Sequence, residues 1–219
     1  VSAGPSLRSD GLLALAGAGI FAAIVVLLHY VEDEFAPCCR YMSEYVLGDW
    51  GWLMNVGFIA LGGAFLALAR GLRRGLAPGR RVIASVRLMY VVGITVLLSA
   101  IFNSDSIFDE EANRTSWHGM LHDLFGFIGF VCLFVATFFL RGVFARDAQW
   151  RRFAPHALMF AITMVATFVL MLVAPTDNFG IAQRVFVMVD LLWIGTLGCA
   201  LVSAGPAVPN QPGVPAQPE

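Results

Sequence analysis

Four histidines occur in this chain, and two of them, His118 and His122, stand four residues apart. On a helix that spacing puts both imidazoles on one face. Asp123 follows directly, Asp105 lies upstream, and a third histidine, His29, precedes a run of acids. Three neutral imidazoles, or two with a carboxylate such as Asp105, make the ligand set of a catalytic zinc site with one position left for water. The metal lowers that water's pKa to about 7 and makes hydroxide available. A structural reading stands beside this one: imidazoles near a helix end also serve as hydrogen-bonding partners for neighbours or water. The spacing leaves both open. A haem is possible in principle from two histidines on different helices, but neighbours one turn apart on one helix cannot clamp an iron from both faces.

The elements that must carry these residues are long and apolar. Of 219 residues 58% are hydrophobic and 13% charged, with a mean hydropathy of +0.76. A water-soluble domain of this length needs a far more polar surface. Six apolar runs, Gly11–Leu28, Gly51–Ala69, Val82–Phe102, Trp117–Leu140, Phe153–Val173 and Gly180–Val202, each approach or exceed the roughly 20 residues a helix needs to cross a bilayer. They lack the two-residue alternation of a transmembrane β-strand. The expected fold is therefore an all-α bundle of six transmembrane helices, whose backbone satisfies its own hydrogen bonds in lipid. Small residues on one stripe (Ala18 and Ala22, Gly63 and Ala67, Gly126 and Gly129) mark the faces expected to pack closely.

Charge sets the orientation. Every basic side chain is arginine, and Arg70, Arg73, Arg74, Arg80, Arg81 and Arg87 surround the second connection, with Arg141, Arg146, Arg151 and Arg152 in the fourth. The other connections hold Arg40 and Arg114 against an excess of acids, among them Glu32, Glu44, Asp49, Asp105, Asp109, Glu110, Glu111 and Asp177. The positive-inside rule then puts both termini in the cytoplasm and the acidic connections outside, in a multi-pass protein of the cell (plasma or inner) membrane. Residues 1–10 form a short cytoplasmic start, 11–203 the membrane domain, and the proline-rich 204–219 a disordered tail. Gly11–Leu28 reads as a span and not a signal peptide, because charged residues and no small-residue cleavage site follow it. Membrane lipids are the expected partners, and a net charge of −1 gives no indication of nucleic acid. Cys38 and Cys39 are adjacent, and two ordinary thiols are more expected there than a disulfide or a metal site. The Asn113-Arg114-Thr115 sequon carries a glycan only in a eukaryotic setting.

A charge at the centre of a span costs about 2.5–3.5 kcal/mol on insertion scales, so each polar residue there demands a reason. His29 ends the first span, His118, His122 and Asp123 open the fourth, and Gln183 and Arg184 open the sixth. All fall in the outer third of the bundle. Arg184 is expected to pair with a carboxylate from Glu44, Asp105 or Asp177, or to grip a lipid phosphate. Asp190 sits near mid-bilayer. It is read as a helix-pinning group bonded to a residue such as Thr163 or Thr167, with a proton or cation path as the alternative.

The run LLHYVEDEFAPCCRYMSEYVLGDWGWLMNVGFIALGG resembles the opening of the six-span membrane family known as domain of unknown function 998. There a polar end of the first span leads to a Ser-Glu pair, here Ser43-Glu44, and a glycine-rich second span with Trp52, Met54, Phe58 and Gly62. FNSDS…TSWHGMLHD, with Asp105, Gly119 and His122, and IAQRVFVMVDLLWIG, with Gln183, Arg184 and Trp193, are similar to two further blocks of that family. The resemblance runs over roughly residues 12–203 and implies an architecture, not an activity. A looser likeness in chemistry alone is to alkaline ceramidases and adiponectin-receptor-type proteins, seven-span zinc hydrolases that combine Ser, Asp and a His-x-x-x-His pair.

Three functions follow as expectations. In a zinc-dependent hydrolase of a lipid amide or ester, His29, His118 and His122 hold Zn2+, Asp105 is fourth ligand or base, and Ser43 or Arg184 steadies the oxyanion. In a non-enzymatic lipid-binding or transport protein, Arg184 holds a headgroup and Asp190 couples a proton. In a structural subunit the polar cluster, with Glu44, Asp123 and Gln183, only pins helices.

Overall fold

The computed structural model describes residues 6–108 and 116–204. Asp109, Glu110, Glu111, the Asn113 sequon, Arg114 and nearly all of the proline-rich tail lie outside the described residues. Six helices carry the chain: α1 Leu7–Val31, α2 Gly51–Gly75, α3 Arg80–Ser99, α4 Trp117–Phe144, α5 Ala154–Val173 and α6 Phe179–Ser203. No strand is present among the described residues. All six are long and apolar enough to cross a membrane.

The helices outrun the apolar stretches at the arginine-rich end. α2 continues past Ala69 through Arg70, Arg73 and Arg74, and α4 continues to Phe144. Arginine is a good helix former, and near a helix C-terminus its charge also complements the macrodipole. α3 instead stops short, at Ser99, and Phe102 stands in the following turn.

Each helix packs on its neighbour in chain order, and α6 returns to α1, closing a ring. A six-membered ring of helices leaves a centre that side chains must fill. In the half towards the arginines they do so with Leu68, Leu72, Leu140, Phe144, Trp193 and Leu197, all fully buried. Outward faces are apolar and exposed, as at Ile20, Phe138, Ile162 and Met188, which suits a surface solvated by lipid and not by water.

Of the small residues expected to pack closely, Gly129 does so, against Thr95 of α3, but Gly63 and Gly126 do not. A Cβ at either of those glycines would meet nothing within 4 Å. The crowded positions are Gly62 against Gly93 and Leu97, and Gly17 against Ala60 and Ala64. A stripe of small residues on its own does not say which side of it meets the neighbour.

Two ends, two ways of closing. At the end carrying the termini, Asp10 is fully buried and accepts from Arg70 Nε at 2.6 Å and Arg74 Nη1 at 3.1 Å, tying α1 to α2. Trp150 Nε1 donates to the Gly75 carbonyl and the ring stacks on Phe144. The opposite, acidic end is closed by the first connection, folded as a lid. Glu32 accepts from the Trp50 amide, and a short 3-10 turn, Met42–Leu47, lies between them.

Candidate functional site

Glu44 organises the lid. It is fully buried, accepts from the Tyr41 amide and from Arg40 Nη1 at 2.8 Å each, and so closes the first turn of Met42–Leu47 on itself. Arg40 also donates to Ser106, and Ser43 meets Ser104 at 3.3 Å, which stitches the lid to the third connection. Gln183 of α6 accepts from the Met42 amide at 2.7 Å. These contacts bring Ser43, Glu44 and Gln183 together at the acidic end.

Arg184 corrects one expectation. Among the described residues no carboxylate stands within ion-pair distance of it. Its Nη1 donates to the Arg40 and Gly180 carbonyls at 2.8 and 3.0 Å, its Nη2 to the Tyr45 hydroxyl at 3.2 Å, and its Nε to His29 Nε2 at 2.8 Å. The lid takes a bend that presents carbonyls to α6, so main-chain oxygens stand where a carboxylate was expected. Gly180 makes that approach possible, because a Cβ there would run into the carbonyls of Pro37, Cys38 and Arg40.

The same contact fixes the state of His29. A guanidinium only donates, so Nε2 must accept; Nδ1 then carries the proton and donates to the Val25 carbonyl at 2.5 Å. Both ring nitrogens are occupied. His118 and His122 do share a face, as their spacing required: His118 lies against Phe102 and Trp117, and His122 Nδ1 donates to the Phe102 carbonyl at 2.8 Å. They sit on α4, which is not a ring neighbour of α1. Asp105 is engaged as well, accepting from the amide and hydroxyl of Ser116, the N-cap of α4, at 2.6 and 2.7 Å. A carboxylate at a helix N-terminus is favourably placed, and Gly119 leaves room for it, since a Cβ there would overlap the carboxylate. The proposed zinc ligands are therefore not gathered, and no group of three His, Cys, Asp or Glu among the described residues is arranged to hold a metal ion. Cys38 and Cys39 are joined as a disulfide between adjacent residues, where two thiols were expected.

Beneath the lid, the half of the ring that side chains do not fill is a cavity of about 410 Å³. Tyr41, Ser43, His122, Asp123 and Gln183 form its polar mouth. Burial, together with Asp123 and Glu44, pushes the Tyr41 phenol above its ordinary pKa, so it remains a neutral hydrogen-bond donor. With Nδ1 of His122 committed to Phe102, Nε2 is the nitrogen left to accept from a cavity occupant. The walls are apolar and aromatic, including Phe58, Phe125, Phe130 and Phe168. Phe127 and Leu172, 57% and 65% exposed on the outside of the ring, also line it, so the cavity has a rim between α4 and α5.

Asp190 stands on the cavity wall, well below the mouth, 7% exposed. It does not pin α6 to α5: Thr167 Oγ1 donates to the Thr163 and Met164 carbonyls of its own helix instead. Among the described residues four buried side-chain atoms lack a hydrogen-bond partner, Asn55 Oδ1, Thr137 Oγ1, Asp190 Oδ1 and Trp193 Nε1, and of these Asp190 alone belongs to a residue of the cavity wall. The cavity itself was not foreseen from sequence. Asp10 was passed over too, although Arg70 and Arg74, four apart on α2, offered the signal of a carboxylate partner at that end.

Among known proteins, no curated protein and no solved structure matches this chain. One family model does, over residues 15–200, which takes in the lid, the cavity lining and four whole helices with most of α1 and α6. The chain therefore belongs to the membrane-spanning family described as Protein of unknown function (DUF998).

Proposed function

We propose that this protein binds an amphiphile, a lipid or lipid-like molecule, in the cavity beneath its lid, and acts as a non-enzymatic lipid-binding or transport protein. One observation carries the reading: a cavity of about 410 Å³ runs from a polar mouth at the acidic end down to Asp190, with a rim on the lipid side between α4 and α5. A chain entering at that rim meets aromatic walls, while its polar group reaches Tyr41, Ser43, His122 and Asp123. Pockets of this size and polarity commonly bury most of a small ligand's surface. Arg184 serves as a fastener of the lid and not as the headgroup site, because its donors are engaged within the protein.

The test is photo-crosslinking with a single-chain amphiphile bearing a diazirine, in lipid nanodiscs. Label is expected on Phe130, Leu133 and Val187, and is expected to disappear in Gly126→Phe. A side chain grown from Gly126 enters open space on the cavity wall, so this variant fills the site without disturbing the packing. Label spread over the outward faces alone, unchanged in Gly126→Phe, would overturn the reading.

The zinc-hydrolase alternative draws less support, since His29 and Asp105 are both spent on neighbours. One zinc per purified chain, lost in His122→Ala, would restore it. The acidic end is proposed to face outward and the arginine-rich end the cytoplasm of a plasma or inner membrane. Labelling by an impermeant thiol reagent of cysteines placed at Phe108 and at Ala148, in intact cells, tests that orientation. Reaction at Ala148→Cys and not at Phe108→Cys would reverse it.

A further inference from the structure

We infer that the cavity selects a lipophilic monovalent cation, an amphiphile whose charge settles against Asp190. This rests on the cavity being an amphiphile site and names the class of occupant. Among the described residues the charged side chains on its wall are Asp123 at the mouth and Asp190 below, and no described arginine lines it. The nearest base on the same helix, Arg184, is turned to the lid and His29.

Asp190 Oδ1 has no hydrogen-bond partner among the described residues, although a buried polar atom is normally matched. Its counterpart at the arginine end, Asp10, has two guanidinium partners. The wall instead offers phenyl rings, Phe130 and Phe168 among them, with centroids 5.6 Å apart. Aromatic faces attract cations, most strongly when water is excluded. An anion would meet two carboxylates and, among the described residues of the lining, no arginine. A neutral lipid would leave Oδ1 unmatched unless its polar group reached far below the mouth.

The experiment compares two ions of the same shape and opposite charge, tetraphenylphosphonium and tetraphenylborate, by equilibrium dialysis against protein-bearing and protein-free nanodiscs. Saturable tetraphenylphosphonium binding is expected in the unaltered protein, with no saturable tetraphenylborate binding. Asp190→Asn is expected to weaken the cation by about tenfold or more, the scale of one charge-assisted contact. Asp123→Asn is expected to weaken it by a smaller factor, because that group is exposed at the mouth. Displacement of the bound ion by dodecyltrimethylammonium identifies a chain-bearing cation as the source, and displacement by tetraphenylarsonium alone a compact aromatic one. Saturable tetraphenylborate binding, or an unchanged affinity in a folded Asp190→Asn, would overturn the inference. If neither ion binds saturably while the diazirine amphiphile still labels the cavity, the charge selection fails and the amphiphile site stands; if that label fails too, both fall.

Discussion

The two halves of the ring each bury an aspartate, and they treat it in opposite ways. Near the arginine end, Asp10 is fully buried between Arg70 and Arg74, and the surrounding ring centre is filled by leucines and aromatics. In the other half, Asp190 is nearly as buried, has no partner on Oδ1, and lines an unfilled space. Burying a carboxylate is tolerated structurally when cations and hydrogen bonds surround it. The matched acid closes the bundle, and the unmatched one is the group we propose to meet a bound cation. Arg184 supports the same division: this cation, on the same helix as Asp190, is turned to the lid and satisfied by carbonyls, an imidazole and a phenol, so it does not neutralise Asp190.

Asp10→Ala should give the largest loss. Breaking a buried pair costs about 3–5 kcal/mol, and the low side of that range is expected here because the arginines, 38% and 39% exposed, can turn to water. Reversible unfolding in mixed detergent reads the loss directly. A change below about 1 kcal/mol would mean that the pair adds nothing beyond a surface ion pair, and the contrast with Asp190 would collapse.

Arg184→Lys comes next, at about 2 kcal/mol. Lysine keeps the charge but cannot reach His29, two carbonyls and Tyr45 from one ammonium, and hydrogen bonds to charged groups are worth about 1.5–3 kcal/mol each. Faster proteolysis of the lid between Glu32 and Trp50 should accompany the loss. A lid as resistant as in the unaltered protein would show that charge alone, and not the fork of donors, holds it.

Gly119→Ala tests the joint between the third connection and α4, at about 1–2 kcal/mol, the usual scale of forced overpacking. Its Cβ would take the place of the Asp105 carboxylate. Pairing it with Asp105→Ala should recover part of the loss, because the smaller side chain removes the overlap. No recovery would locate the strain elsewhere in the first turn of α4.

How far the sequence foretold these halves differs with the physics involved. Lipid admits few backbone solutions, so six apolar runs were enough to give six helices. That His122, Asp123 and Gln183 stand at the same end of the bundle follows from their places at the starts of spans, where insertion cost is lowest, but Asp10 stands at the other end. Which residues touch was not legible. Arg184 bonds main-chain carbonyls at Arg40 and Gly180, and Gln183 bonds the Met42 amide 141 residues away; every residue carries such groups, so nothing in the side-chain pattern marks them. The zinc reading joined His29 to His118 and His122 by depth, although ring order keeps α1 and α4 apart. The cavity was illegible for a related reason: it is the space left by ring closure, and Gly126, read as a packing contact, turned out to face it.

Asp190→Asn is the smallest expected change in stability and the most informative. No hydrogen bond to Oδ1 is lost, and the amide keeps the size of the acid, so the shift should stay within about 1 kcal/mol in either direction. A loss as large as that of Asp10→Ala would mean that the carboxyl grips part of the bundle after all, and the two aspartates would be alike. A neutral substitution carries a second consequence. Tetraphenylphosphonium should raise the unfolding midpoint of the unaltered protein, since a ligand of the native state alone stabilises it by mass action, and that rise should shrink in Asp190→Asn. Stability left in place while ligand stabilisation falls separates a group kept for binding from one kept for folding, and Asp10→Ala, with its order of effects reversed, is the control.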